Sequence, residues 1–155
     1  MSVKEHILQV IYLIDGIQTV IPTKVIYNQS NENELQDIHF EIHFEKNKII
    51  SKKSCNTEEA IINLQRVLPQ NINIACCQSC IYGNFCPFGD CDNEVFCLKD
   101  MTPNNKNDVS DFFLRNQDSL NGKSRKLLDY CTDYKPISDK ECYTYNDWKI
   151  KSKSV

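Results

Sequence analysis

Six of the nine cysteines in this 155-residue chain fall between Cys76 and Cys97: Cys76, Cys77, Cys80, Cys86, Cys91 and Cys97. Thiols packed this densely make disulfides, hold a metal or do redox work, and each use ties the segment to itself. An odd total of nine sits badly with a complete disulfide framework. The pair Cys77-x2-Cys80 is the strongest signal, because two thiolates at this spacing can grip one ion from a tight turn. Gly83 follows closely and lets the backbone curl round such an ion.

Tetrahedral zinc needs four ligands. The sequence reading assigns Cys77, Cys80, Cys91 and Cys97, with Cys86 and Cys131 as the substitutes. Cys86 lies between Phe85 and Phe88, an apolar setting that suits a buried thiol. Cys76 alternates with Ile72 and Ile74 and is read as facing the inside of a sheet. Cys55 and Cys142 stand apart and are read as core or surface thiols. Neither common ferredoxin spacing is present, and the βαβ context of a thioredoxin-like pair is missing.

A hydrophobic content of 41% with 25% charged residues places the chain among globular proteins. Its length suits a single domain over 1–155: sheet and helix over 1–75, a cysteine-rich metal loop over 76–100, short helices and irregular chain over 101–148, and a basic tail over 149–155. The formal net charge of −3 argues against a general binder of nucleic acid or anionic membranes. The apolar patch Ile7 to Ile14 lacks the cleavage site of a signal peptide, and no run is long enough to span a membrane. The expected compartment is the cytoplasm, where thiols stay reduced.

The N-terminal half reads as strands. His6 to Ile14 and Val20 to Tyr27 flank the turn dipeptide Asp15-Gly16 and predict a hairpin. Pro22 predicts that the second strand lies at an edge or starts late. In the next strand, Ile38, Phe40, Ile42 and Phe44 share one face, and His39, Glu41, His43 and Glu45 the other. Asn47 is read as a turn, with a short return strand over 48–51. A helix follows, with Thr57 as its N-cap, Glu58 and Glu59 in its first turn, and an apolar stripe of Ala60, Ile61, Leu64, Val67 and Leu68 before Pro69. Residues 71–76 read as a strand. Asp108 or Ser110 is expected to cap a short helix that breaks at Asn121-Gly122, with a further helical turn over 124–130 and Trp148 as a core anchor. The fold class is therefore α+β: a mainly antiparallel sheet, one main helix packed on it, and a zinc-stapled cysteine loop.

Two further features bear on function. His39 and Glu41 with Cys77-x2-Cys80 resemble part of the zinc deaminase signature. Residue 76 is Cys where that signature has Pro, and the His-x-Glu lies in a strand pattern. His39 and His43 would stand about 13 Å apart along a strand, too far to share one ion. Glu41 is accordingly expected to face solvent. The second feature is charge: Glu32, Glu34, Asp37, Glu41 and Glu45 fall in a stretch without Lys or Arg. Glu32, Glu34, Asp37 and Glu41 are read as a docking surface for a basic protein partner.

The run from Glu59 through Pro69, then Cys76 through Gly89, and finally Phe96-Cys97, resembles a group of small bacterial proteins. Their pattern is C-x2-C-x-Tyr-x2-aromatic-x-Pro-x-Gly with a later cysteine, and the likeness covers about a quarter of the chain. It implies Cys77, Cys80 and Cys97 as shared thiols and leaves the fourth ligand open. Small acidic proteins of this layout also resemble immunity proteins of toxin systems. The expected function is thus a non-enzymatic binding protein with structural Zn2+, most specifically an immunity protein that blocks a toxin domain. The alternatives are a zinc-dependent deaminase-type enzyme and a zinc-ribbon module of a nucleic-acid complex.

Overall fold

The computed structural model describes residues 2–88, 94–137, 143–146 and 148. The chain is α+β and divides after Ile74 into two compact units. Among the described residues, no helix is long and apolar enough to cross a membrane.

The first unit is a five-stranded antiparallel sheet with one helix. Strands β1 (Ser2–Ile14) and β2 (Ile17–Gln29) form a long hairpin, followed by β3 (Leu35–Phe44), β4 (Asn47–Ile50) and β5 (Ile72–Ile74), in the order β4-β3-β2-β1-β5. Asp15 (φ 53°) and Gly16 (φ 81°) are both left-handed, as a two-residue hairpin turn requires. Glu45 (φ 57°) lies in the β3–β4 turn, so Asn47 begins the return strand rather than turning the chain.

The ladder explains Pro22. β2 is central rather than an edge strand, yet its pairing with β3 begins only at Thr23↔Ile42. Pro22 lies one residue outside that ladder, where one side of β2 has no partner strand among the described residues. A missing N–H is tolerated at such a place.

One face of this sheet is the core. Val10 and Tyr12, Ile21 and Val25, Ile38, Phe40 and Ile42, and Ile72 and Ile74 are all buried. The alternation read in β3 therefore sets the inner face. Helix α1 (Thr57–Val67) packs against β3 and β4. Its N-cap is Asn56, one residue before the Thr57 expected, and the Asn56 carboxamide oxygen accepts from the Glu59 N–H at 2.8 Å. Val67 is exposed, while Ile62 is buried. The buried side of α1 is thus broader than a single stripe. Buried Gln65 reaches the sheet end, donating to the Ile72 carbonyl (3.1 Å) and accepting from the Ile74 N–H (2.7 Å).

The second unit begins at Ala75. A 3₁₀ turn at Cys77–Ser79 leads into a small antiparallel sheet of β6 (Gly83–Asn84), β7 (Glu94–Cys97) and β8 (Ser124–Lys126), in the order β6-β7-β8. Residues 124–126 are strand, where a helical turn was expected, because they pair with Glu94, Val95 and Phe96. Helix α2 (Lys106–Arg115) starts earlier than expected, capped by Asn105, whose side chain accepts from the Asp108 N–H at 3.0 Å. Asn121 and Gly122 do not break a helix; they lie inside a 3₁₀ segment over Gln117–Lys123. Phe96, Leu98, Val109 and Phe113 form one core cluster of this unit, with the Phe96 and Phe113 rings edge to face at 5.1 Å. Trp148 is buried.

Candidate functional site

The cysteine segment begins where β5 stops. Cys76 is therefore not on the sheet: it is the fully buried residue preceding the 3₁₀ turn. Its N–H donates to the Ser79 hydroxyl at 3.1 Å, and the hydroxyl returns a bond to the Cys76 carbonyl at 3.1 Å. The Tyr134 hydroxyl lies 3.2 Å from the same Ser79 oxygen. Burial pushes the Cys76 thiol up to about 11.

Two successive turns follow. The Cys80 N–H donates to the Cys77 carbonyl (3.3 Å), and the Gly83 N–H donates to the Cys80 carbonyl (2.9 Å). The chain is folded so tightly that a Cβ on residue 83 would overlap the Cys77 carbonyl oxygen. Glycine is required here by close approach. Gly83 is also the direct partner of Cys97 in the β6–β7 ladder, which brings Cys97 to the same knuckle.

Three other segments hold the knuckle by hydrogen bonds. Cys77 and Gln78 N–H groups donate to the Asp129 (2.6 Å) and Leu127 (3.1 Å) carbonyls. Cys80 forms a β-bridge with Pro136, and the Ile81 N–H donates to the Lys135 carbonyl at 2.8 Å. The Asn146 amide donates to the Gly83 carbonyl (2.6 Å), the Thr144 hydroxyl to the Ile81 carbonyl (2.7 Å), and the Tyr145 N–H to the Asn84 side chain (2.6 Å). Between the Asp129 and Lys135 anchors the chain arches through Tyr130 to Tyr134, and Cys131 is in that arch.

Burial raises the Cys77 thiol, and the neighbouring Cys76, Cys80, Asp129 and Cys131 raise it further. Burial also raises Cys80, with smaller contributions from Cys97 and Cys131 in the same direction. Cys76, Cys80 and Cys131 thus stand within electrostatic reach of Cys77, and Cys97 and Cys131 within reach of Cys80. Among the described residues, however, no three His, Cys, Asp or Glu side chains stand in an arrangement that would hold a metal ion. The backbone knuckle is in place; the sulfurs are not gathered.

Of the assigned ligands, Cys77, Cys80 and Cys97 lie on neighbouring backbone without their side chains forming a metal-holding group, and Cys91 lies outside the described residues, as does Cys142. Cys86 packs against the Phe96–Phe113 cluster but is only half-buried, where a buried thiol was expected. Cys55 is exposed. Sequence reasoning did not single out Asn84 or Asn146. Asn146 lies in irregular chain and Asn84 in a two-residue strand, and nothing local distinguishes a bridging amide from a solvated one.

An open cleft of about 390 Å³ borders the arch, lined by Tyr82, Lys99, Asp133, Tyr134 and Lys135 among others. Lys99 and Asp133 are spent on each other at 3.2 Å, and Asp100 in the same cleft pairs with Lys123 at 3.3 Å. The Lys99 ammonium is raised chiefly by its hydrogen bond to Asp133.

In the first unit, Glu32 and Glu34 are exposed in the β2–β3 turn. The Ser30 hydroxyl organises that turn, accepting from the Glu32 and Glu34 N–H groups, both at 3.2 Å. Asp37 is occupied: both its oxygens accept from the Asn28 amide, at 2.9 and 3.0 Å. Glu41 does not face solvent freely as expected; its side chain is only 14% exposed and it pairs with Lys48 at 3.6 Å. His39 stands opposite Ile26 on β2 and is half-buried. Comparison with protein families, with curated proteins and with solved structures finds no match to this chain.

Proposed function

We propose that the chain is a non-enzymatic binding protein with a structural zinc ion in its second unit, and that it acts as an immunity protein, neutralising a bacterial toxin by direct binding. The observation that carries the binding reading is the Ser30 turn. It presents two exposed carboxylates, Glu32 and Glu34, on a loop already ordered by side-chain and backbone hydrogen bonds. Opposite charge on a basic partner speeds encounter and selects orientation, and a preformed loop loses little entropy on docking. The immunity role rests on the sequence resemblance alone.

What supports zinc is the chemistry of closely spaced thiols, on a knuckle whose two turns and required glycine leave Cys77 and Cys80 on one tight loop, with the sulfurs themselves not gathered. Cys77, Cys80 and Cys97 would hold the ion, which would supply cross-linking and no reaction. Cytoplasmic reducing conditions keep such thiols available.

The test is capture of the product of the adjacent gene by the full chain, with the affinity followed through a salt series. A basic partner, binding that weakens with salt, and a loss of at least about tenfold on Glu32→Lys with Glu34→Lys support the reading. Unchanged affinity and salt dependence in that variant would sink the docking surface. Asp37 and Glu41 are poor positions for the test, because reversing either breaks a contact within the sheet.

A further inference from the structure

We infer that the open edge of β1 pairs with β1 of a second copy of this chain, antiparallel about a two-fold axis at Ile7, joining two sheets into one. The inference concerns the first unit alone and is independent of the zinc and toxin readings. β1 runs beside β2 in unbroken register from Ser2 to Ile14, but β5 covers its other side only from Tyr12 to Ile14. Among the described residues, no strand pairs with that side from Ser2 to Ile11. Ile14 and Ile17 close the two-residue turn as a hydrogen-bonded pair, so the even residues of β1 aim their backbone groups at β2 and the odd ones aim away. The Asp15 N–H keeps this parity, donating to the Asn71 carbonyl on the β5 side at 2.9 Å. Val3, Glu5, Ile7 and Gln9 therefore line the edge with backbone groups that no strand among the described residues takes up.

Such an edge is a template for another strand, and proteins commonly blunt it with a proline or a bulge. Residues 2–11 contain neither. Val3 and Ile7 are 65% and 58% exposed. Side-chain chemistry selects the occupant and the register. A two-fold axis at Glu5 would set Glu5 against Glu5. At His6 it would set Glu5 against Ile7 and the two imidazoles against each other. At Leu8 the second copy's residues 2–4 would run into the place that β5 holds. At Ile7 each Glu5 carboxylate faces a Gln9 amide, the two exposed Ile7 side chains cover each other, and Val3 faces Ile11. Lys4 faces Val10, along which its methylene stem can lie with the ammonium in water. This ladder ends at Ile11, where β5 takes over, and supplies about ten backbone hydrogen bonds. A contact of one strand pair is small, so the dimer is weak and concentration-dependent.

The experiment uses the full chain under reducing conditions, which exclude cysteine cross-links. Sedimentation over a concentration series is expected to show reversible growth toward twice the chain mass. Amide exchange of Glu5, Ile7 and Gln9 should slow as concentration rises, while the His6 and Leu8 N–H groups, bonded to β2, stay protected throughout. Gln9→Glu sets like charges opposite each other twice and should weaken association about tenfold. Adding Glu5→Lys to that variant should restore it. Both side chains are exposed, so neither change should disturb the fold. A chain that stays monomeric over the whole series overturns the inference, as does a dimer indifferent to Gln9→Glu or a loss that Glu5→Lys does not restore. Protection of Glu5, Ile7 and Gln9 already complete in the monomer would mean that the chain fills its own edge, and overturns it as well.

Discussion

Gly83 and Cys97 face each other directly across the β6–β7 ladder, while the Gly83 α-carbon is turned against the Cys77 carbonyl so closely that no side chain fits. One residue thus joins two thiol-bearing segments, through its pairing on one side and its lack of a Cβ on the other. The cysteine spacing matters only because this backbone contact exists.

Gly83→Ala is therefore expected to destabilise the second unit. The added methyl must displace backbone rather than a flexible side chain, and forced repacking of this kind costs about 1–3 kcal/mol. Denaturant unfolding followed by the fluorescence of Trp148 would measure it. A variant as stable as the parent would show that the knuckle has another backbone path open to it.

In the first unit, Gln65 bonds the backbone of Ile72 and Ile74 from α1, doing for β5 what a neighbouring strand would do. Gln65→Leu keeps the bulk and removes both bonds, and should cost about 1–3 kcal/mol because the groups are buried. Amide hydrogen exchange is the more specific readout. Protection of the Ile74 N–H should fall before that of the β1–β2 ladder, and equal protection in both proteins would count against the role given to Gln65.

The cap of α1 separates two adjacent residues. Asn56→Ala should cost about 1 kcal/mol, the usual value of a lost N-cap, whereas Asn56→Asp should be close to neutral. Thr57→Ala should change stability much less, since the Thr57 side chain does not cap the helix. Thermal melts of the three variants check this ordering, and a larger loss at Thr57 would restore the assignment made from sequence.

Burial predicts cysteine accessibility without reference to metal. Under native conditions Cys55 should react early with iodoacetamide, and Cys76 only on unfolding, because Cys55 is exposed and Cys76 is fully enclosed. Peptide mapping after brief labelling tests it. Early modification of Cys76 would mean that the start of the knuckle opens far more readily than its hydrogen bonds to Ser79 imply.

What the sequence determined by itself is the part written in local periodicity. The alternation of Ile38, Phe40 and Ile42 dictates an inner face, the Asp15-Gly16 pair dictates a left-handed turn, and the stripe from Ala60 to Leu68 dictates a helix ending before Pro69. Each follows from side-chain direction over a few residues, so it survives in any tertiary setting. Tertiary structure decided the rest. Residues 124–126 are strand only because Glu94 to Phe96 lie beside them, and Pro22 is tolerated in a central strand only because β3 stops pairing at Thr23. Glu41 loses its freedom to Lys48, which the turn at Glu45 brings alongside. Cys131, distant in sequence from the knuckle, is brought to it by backbone bonds at residues 127, 129, 135 and 136. Such pairings join residues across long loops, and the hydrogen-bonding groups that make them are the same on every residue. Local sequence therefore carries no mark of which partner each will find.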